Sequence, residues 1–181
     1  MADLSRTPGQ TVGPFFGYAL PFSSDSELVA PSHPDAIRLH GHVIDGAGNG
    51  VPDALIEIWQ RGPDGAVVYQ PGSMCREGYS FTGWGRAATD PDGHYSFSTI
   101  MPAAGPAGAA PMFAVCVFAR GLLDRLFTRA YVATDDSRDA FLDSLEHERR
   151  ETLIVRCDTD RSYIFDIVLQ GAGETVFLKY S

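Results

Sequence analysis

The sequence predicts an all-β protein, a β-sandwich of about eight strands with an extended N-terminal arm and one short helix. Three observations support this class: many short apolar segments separated by turn residues, alternation of apolar and polar side chains within them, and only one segment with helical spacing. Many short strands joined by turns are typical of sandwiches. A chain of 181 residues can fill one hydrophobic core and is short for two.

Residues 1–36 are predicted to form an N-terminal arm and a connector. Prolines interrupt any helix or strand ladder in this region, at Pro8, Pro14, Pro21, Pro31 and Pro34. Polar composition favours disorder, but residues 12–22 are mostly apolar. We therefore expect residues 10–22 to be extended and packed on another part of the protein. Residues 23–35 are predicted to be a polar connector, and residues 37–181 to form the sandwich.

The predicted strands follow one another along the rest of the chain. The first alternates, with Ile37, Leu39 and Gly41 on one face and Arg38, His40 and His42 on the other. Further strands are predicted within 53–60, 89–102, 112–119, 126–133, 152–157, 163–170 and 175–180. The helix is predicted at 138–149, where Phe141, Leu142 and Leu145 share one face.

Composition excludes several classes of protein. The net charge of −9 argues against general nucleic-acid binding, which needs excess lysine and arginine for phosphates. No apolar run approaches the ~20 residues that a membrane helix needs, and the N-terminus lacks the pattern of a signal peptide. Cys75, Cys116 and Cys157 have no metal-type spacing, so we expect reduced thiols and a cytoplasmic protein.

Two histidines form the first candidate site. His40 and His42 lie two residues apart on one strand face, a spacing that can hold a metal ion. A metal site needs more ligands, and the other histidines are predicted in a connector, a turn and a helix. We therefore expect a polar, solvated strand face here, an interpretation that Arg38 on the same face supports.

Arg129 is the second candidate. It is predicted to share a strand face with Phe127 and Tyr131. Its stem could pack on the aromatic rings while its guanidinium stays in water. Alternatively, its planar guanidinium could face a pocket and bind a carboxylate. The residues alone leave both interpretations open.

Four segments carry a family resemblance. They are TVGPFFGYALPF (11–22), GHVIDGAGNGVPDALIEIWQ (41–60), TGWGRAATDPDGHYSFSTIMP (82–102) and VFARGLLDRLFTRAYV (117–132). Together, in this order, they resemble the intradiol ring-cleaving dioxygenases, and the resemblance runs from about residue 9 to the C-terminus. The segment 43–60 alone is less specific, because transthyretin-like modules share its strand–turn–strand pattern.

This chain departs from the family at the iron ligands. Catalytic members hold ferric iron with two tyrosines and a histidine pair that follows a proline. In APMFAVCVF (110–118), Met112 and Ala114 stand at the histidine positions. One tyrosine position falls near Val67, with Tyr69 two residues late, and the other falls within PAAGPAG (102–108). An arginine of the family is also replaced, with Ala109 near its place.

The resemblance therefore implies an alpha subunit of an intradiol ring-cleaving enzyme that binds no iron and is inactive alone, while a homologous beta chain holds the Fe(3+). It implies that Thr11, Gly13, Pro14 and Arg129 line a substrate pocket at the interface of the two chains. The implied reaction is cleavage of protocatechuate by O2 to 3-carboxy-cis,cis-muconate. Two alternatives remain: a transthyretin-like interaction module, and a self-sufficient enzyme with a relocated metal site at His40, His42 and Tyr69.

Overall fold

The structure, a computed structural model, describes residues 16–68, 74, 76–132 and 139–179. Two β-sheets pack face to face within these ranges, which confirms the predicted all-β sandwich. Thr11, Gly13, Pro14, Tyr69 and Cys75 lie outside the described residues. Among the described residues, no helix has the length and apolar content needed to span a membrane.

Nine strands form the two sheets in the described ranges. They are β1 (Ile37–Ile44), β2 (Leu55–Gln60), β3 (Trp84–Ala88), β4 (His94–Thr99), β5 (Met112–Phe118), β6 (Leu126–Tyr131), β7 (Arg156–Thr159), β8 (Ser162–Ile164) and β9 (Ile167–Val168). The first sheet has the order β4-β1-β8-β7, and β9 also pairs with β1. The second sheet has the order β3-β2-β5-β6, and all its pairs are antiparallel.

The alternation predicted for β1 is present in the structure. Ile37, Leu39, Gly41 and Val43 are buried, whereas the side chains between them are exposed or half-buried. Gly41 is required by close packing, because a Cβ atom there would lie 2.0 Å from the carbonyl oxygen of Phe165. This close approach lets β1 pair with β8 and β9 on either side of Phe165.

The main hydrophobic core lies between the sheets. The first sheet contributes Leu39, Val43, Tyr95 and Phe97, and the second contributes Ile56, Ile58, Phe113, Val115 and Val117. A smaller cluster forms beside β6, where Tyr131 packs with Ala110, Leu142, Leu153 and Val176. This second cluster packs residues 141–154 against β6 at the edge of the second sheet.

The N-terminal region differs from the prediction in two places. Residues Phe16–Ala19 form a short helix, α1, where the prolines and apolar residues predict an extended segment. The expected polar connector also supplies two core residues, because Leu28 and Val29 are almost completely buried. The Leu28 amide and the Ser98 amide join this connector to β4 by backbone hydrogen bonds. The connector is therefore part of the sandwich.

Other differences concern β3, the helix and the C-terminal strands. The sequence does not predict β3, because WGRAA shows no alternation and its position depends on pairing with β2. The predicted helix at 138–149 is instead two short helices, α2 (Ala140–Asp143) and α3 (His147–Glu151). The predicted strand 163–170 is broken into β8 and β9, while 152–155 and 175–179 form only isolated bridges, Tyr131–Ile154 and Phe127–Leu178.

Candidate functional site

β5 places Met112 and Ala114 on the outer face of the second sheet. Ala114 lies opposite Trp59 of β2 on one side and opposite Arg129 of β6 on the other. Met112 lies opposite Tyr131. The alternation along β5 sends Phe113, Val115 and Val117 into the core instead. The two positions that carry the histidine pair in the resembling family are therefore neighbours on one accessible face.

A cavity of about 250 Å³ lies where these positions meet, and we call it the Met112 cavity. Its wall includes Val67, near one tyrosine position of the resembling family, three residues of the segment 102–108 in which the other falls, and Met112 and Ala114 at the histidine positions. Ala109, near the place of the family's arginine, lines it as well. Positions far apart in sequence thus converge on one cavity.

The side chains at these positions do not fit ferric iron. Ferric iron prefers hard anionic oxygen and imidazole ligands, whereas Val67, Ala109 and Ala114 offer hydrocarbon and Met112 offers a soft thioether. Across the described ranges, no group of three or more His, Cys, Asp or Glu side chains is placed to hold a metal ion. The donor chemistry of this wall therefore differs from that of an iron site.

Two charged residues also line the Met112 cavity, and sequence reasoning did not identify either. Arg61 donates from Nη1 to the carbonyl oxygen of Gly65 at 2.9 Å. Asp139 caps α2, since its Oδ1 accepts from the amides of Phe141 and Leu142 at 2.9 and 3.1 Å. Arg61 directly follows β2, and this position after IWQ is the sequence signal that could have identified it as a cavity residue. Asp139 reaches the cavity only through the fold.

Arg129 lies beside this cavity, on β6. Its Nη1 donates to the hydroxyl oxygen of Tyr131 at 2.9 Å, and its guanidinium carbon lies 5.4 Å from the centre of the Phe141 ring. Burial raises the pKa of Tyr131, while the hydrogen bond from Arg129 opposes that rise. The prediction that Arg129 shares a face with aromatic residues is confirmed. Arg129 is half-buried, and its guanidinium contacts both Tyr131 and Phe141.

A second cavity, of about 420 Å³, contains Arg129 in its wall, and we call it the Arg129 cavity. It shares Trp59, Met112 and Ala114 with the Met112 cavity. Phe127 and Phe118 supply aromatic surface, and Glu57, Arg125 and Cys116 also line the cavity. Burial is the main cause that raises the pKa of the Cys116 thiol to about 11, so this side chain is neutral near pH 7.

The part of the arm that the structure describes lies along the same sheet. The ring of Phe16 is 6.4 Å from the ring of Phe118, which lines the Arg129 cavity. The carbonyl oxygen of Leu20 accepts from Nη1 of Arg86 at 2.7 Å. Phe22 stacks on Trp84 with ring centres 6.1 Å apart. Phe16, where the described part of the arm begins, therefore lies at the edge of the Arg129 cavity.

The histidine pair lies on the other sheet, away from both cavities. His40 and His42 are on β1, and the pairing of β1 with β4 adds His94, whose Nε2 is 3.3 Å from Nδ1 of His40. The ring of His42 is centred 5.1 Å from that of His94. Burial, followed by positive neighbours, lowers the pKa of both His40 and His94. Sequence reasoning missed His94 as a neighbour because β1–β4 pairing is a long-range contact.

Two of the three cysteines lie in the described ranges. Cys116 is free and buried, and Cys157 is free and exposed. This agrees with the expectation of reduced thiols at these two positions. Neither lies in a group of metal-ligand type among the residues that the structure covers.

Comparison with known proteins shows a relationship over almost the whole chain. The chain is 36% identical to a protocatechuate 3,4-dioxygenase alpha chain of Burkholderia cepacia over 196 aligned residues, which cover 98% of each chain. It is also 36% identical to the alpha chain of Pseudomonas putida, again over 98% of each chain. The beta chain of Burkholderia cepacia is 31% identical, over 78% of this chain and 67% of the relative.

The solved structures and the family model agree. The dioxygenase domain of a dioxygenase and carbohydrate-binding protein fusion from Streptomyces sp. SirexAA-E superposes with a TM-score of 0.59 and 26% identity, covering 91% of this chain and 98% of that domain. Catechol 1,2-dioxygenase from Pseudomonas arvilla C-1 shares the fold, with a TM-score of 0.57, 19% identity, and coverage of 82% and 56%. A family model described as Dioxygenase matches residues 13–122. The chain therefore belongs to the intradiol ring-cleaving dioxygenases.

Proposed function

We propose that this chain is the iron-free alpha subunit of a protocatechuate 3,4-dioxygenase, lining the active site at its interface with an iron-bearing beta subunit. Intradiol dioxygenases depend on iron, and relatives of this chain include both an alpha and a beta chain. The similarity to alpha chains spans the full length, whereas the similarity to the beta chain is lower and shorter. These comparisons support the alpha assignment.

The observation that carries the proposal is the wall of the Met112 cavity. The family resemblance associates Val67, residues of 102–108, Met112 and Ala114 with iron ligands, and those that line the cavity carry side chains that ferric iron does not prefer. Loss of a single ligand would weaken a metal site, but replacement of the whole set removes it. A chain that keeps the fold and the cavity but lacks the iron-binding donors is what we expect of a subunit that assembles with an iron-bearing homologue.

We assign recognition of the substrate carboxylate to Arg129. A carboxylate in a partly dry pocket needs a cation, because an unpaired buried charge is costly. The planar guanidinium can form two parallel hydrogen bonds with it. Tyr131 and Phe141 hold the guanidinium in place in the wall of the Arg129 cavity. Aromatic surface from Phe127 in the same wall suits the ring of the substrate.

We assign the rest of the pocket wall to Thr11, Gly13 and Pro14, which precede the described residues. Phe16 packs on Phe118 at the edge of the Arg129 cavity, so the chain enters the described structure next to the proposed pocket. Glycine permits close approach of backbone to a ligand, and proline stiffens the segment. Aromatic residues such as Phe16 are common anchors of interfaces.

The complex would cleave protocatechuate with O2 to 3-carboxy-cis,cis-muconate. The iron of the beta chain would supply the oxygen chemistry. Residues of this chain would orient the substrate through Arg129 and exclude water through the arm. We place the complex in the cytoplasm, where free thiols such as Cys116 and Cys157 stay reduced.

Co-expression with a homologous beta chain tests the proposal. We expect the two chains to purify together, with iron and protocatechuate cleavage in the complex. We expect this chain, expressed alone, to contain no stoichiometric iron by elemental analysis and to show no turnover. Stoichiometric ferric iron with a tyrosinate charge-transfer colour in the single chain would overturn the iron-free assignment. A chain that never associates with the beta chain would instead support the interaction-module alternative.

A further inference from the structure

The Met112 cavity has the size and lining of a small-molecule site in its own right. Its volume is about 250 Å³, and an apolar cavity of roughly 150 Å³ is enough to bind benzene. Val67, Val68, Ala109, Pro106 and Met112 give it a largely apolar wall. Such a wall favours an aromatic or aliphatic ring, because burial of apolar surface stabilises binding in proportion to area. A ring with one small substituent fits this volume.

Arg61 is the only cation among the described residues that line the cavity. Its Nη1 donates to the carbonyl oxygen of Gly65, and among the described residues no carboxylate lies within ion-pair distance of it. A guanidinium carries five donor hydrogens, so donors remain for a ligand. The anion that matches this planar group best is a carboxylate.

Two other polar side chains of the wall, Asp139 and Gln60, already have hydrogen-bond partners. Asp139 accepts from two backbone amides at the start of α2, and the Tyr131 hydroxyl also bonds to it. Gln60 is buried, donates to the carbonyl oxygen of Ile100 at 2.9 Å and accepts from the hydroxyl of Thr99 at 2.5 Å. The backbone amides and the Tyr131 hydroxyl thus partly balance the charge of Asp139. Arg61 still has N–H groups that can donate to a ligand.

From these observations we propose that the Met112 cavity binds a small aromatic monocarboxylate, with the ring against the apolar wall and the carboxylate on Arg61. The Arg61 end of this site is distinct from the proposed substrate site, because Arg61 does not line the Arg129 cavity, although the two cavities share Trp59, Met112 and Ala114. The ligand would bind without a metal ion. The proposal concerns the chain itself and does not depend on its assembly with a beta subunit.

The test uses 4-fluorobenzoate as the probe and fluorine NMR on the purified full chain. We expect saturable binding at one site, and binding of the neutral 4-fluorobenzamide that is weaker by about tenfold or more, the effect of losing a charged hydrogen bond. Arg61→Gln should weaken 4-fluorobenzoate binding by a similar factor. Arg156→Gln is the matched control, because Arg156 is exposed on β7 of the other sheet and lines neither cavity, and it should leave binding unchanged.

Filling the cavity is an independent variant. Ala109→Phe keeps Arg61 and occupies the apolar space, so it should abolish saturable binding. Equal binding of the acid and the amide, an unchanged affinity in Arg61→Gln, or no saturable binding by the wild-type chain would each overturn the proposal. The comparison of acid and amide on the wild-type chain decides the question even if a variant does not fold. None of these outcomes bears on iron content or turnover of the complex.

Discussion

Arg129 and Ala114 are direct partners across the β5–β6 pair. We propose that Arg129 binds the substrate carboxylate, and the family resemblance matches Ala114 to an iron-binding histidine. Residues directly opposite each other in an antiparallel pair have Cβ atoms about 4.5–5.5 Å apart. Because alanine has a small side chain, Ala114 leaves space beside Arg129, and both residues line the Arg129 cavity.

Arg129→Ala should raise the KM for protocatechuate in the assembled complex. The loss of a charged hydrogen bond corresponds to about 1.5–3 kcal/mol, or roughly ten- to hundredfold in kcat/KM. Catechol lacks the carboxylate, so its turnover should change much less. Arg129→Lys should recover part of the loss, because an ammonium lacks the planar fork. Steady-state kinetics on both substrates provide the measurement.

Thermal unfolding of Arg129→Ala is the control for this prediction, because it measures any loss of stability. Arg129 also contacts Tyr131 and Phe141, so Arg129→Ala can lower stability for structural reasons. A structural effect alone would change both substrates equally. Equal losses for protocatechuate and catechol would therefore show that Arg129 does not bind the carboxylate.

Removing residues 1–15 should leave the sandwich folded and abolish turnover of the complex. The anchors Phe16 and Phe22 remain in this variant, and the described core residues all follow residue 15. We expect an unchanged melting temperature of the chain and weaker association with the beta chain. Phe16→Ala is the companion variant and should weaken association while retaining some turnover. Normal assembly and turnover without residues 1–15 would exclude the arm from the pocket wall.

Arg86→Ala should destabilise the chain by about 3 kcal/mol, the range typical of breaking a buried ion pair. The Nε and Nη2 groups of Arg86 donate to Oε1 of Glu57 at 3.0 and 2.6 Å, and both side chains are largely buried. The substitution leaves the Glu57 carboxylate without its partner and frees the carbonyl of Leu20. Urea unfolding measures the loss. Arg156→Ala breaks an exposed ion pair with Asp166 and should lower the free energy of unfolding by less than about 1 kcal/mol. Equal losses in the two variants would contradict a larger stabilising effect of the buried Arg86–Glu57 pair.

Acidification below about pH 6.5 should destabilise the chain through His40 and His94. Burial, Arg38 and the neighbouring histidines lower the pKa of both residues in the folded chain. The unfolded chain, with histidine pKa values near 6.5, then binds more protons than the folded chain, so stability falls as pH drops through this window. Asp158, Asp90 and Asp166 oppose the shift without reversing it.

The measurement is the melting temperature between pH 8 and pH 5, above the range in which most carboxylates titrate. Replacing both His40 and His94 by Gln should flatten the dependence. His147→Gln is the control, because His147 is exposed on α3 and should leave the slope unchanged. A slope of opposite sign, or an unaltered slope in the double variant, would contradict this account.

The sandwich class, the first strand and the family follow from linear patterns in the sequence. Alternation with a period of two is a local property, so it assigns Ile37, Leu39 and Gly41 to the buried face without knowledge of their partners. The proposed replacement of iron ligands also rests on a linear motif, in which Met112 and Ala114 occupy the positions matched to histidines. Neither conclusion depends on which strands pair.

What lies together in space depends on the tertiary structure. Val67, Ala109 and Met112 meet in one cavity only because β2, the segment before β5 and β5 itself are neighbours, and strand order is a long-range property that local patterns do not encode. For the same reason His94 joins His40, and Leu28 of an apparently polar connector enters the core. The sequence of β3 shows no alternation of apolar and polar residues, and this strand forms because it pairs with β2. Pairing across the chain, rather than local preference, fixes these features.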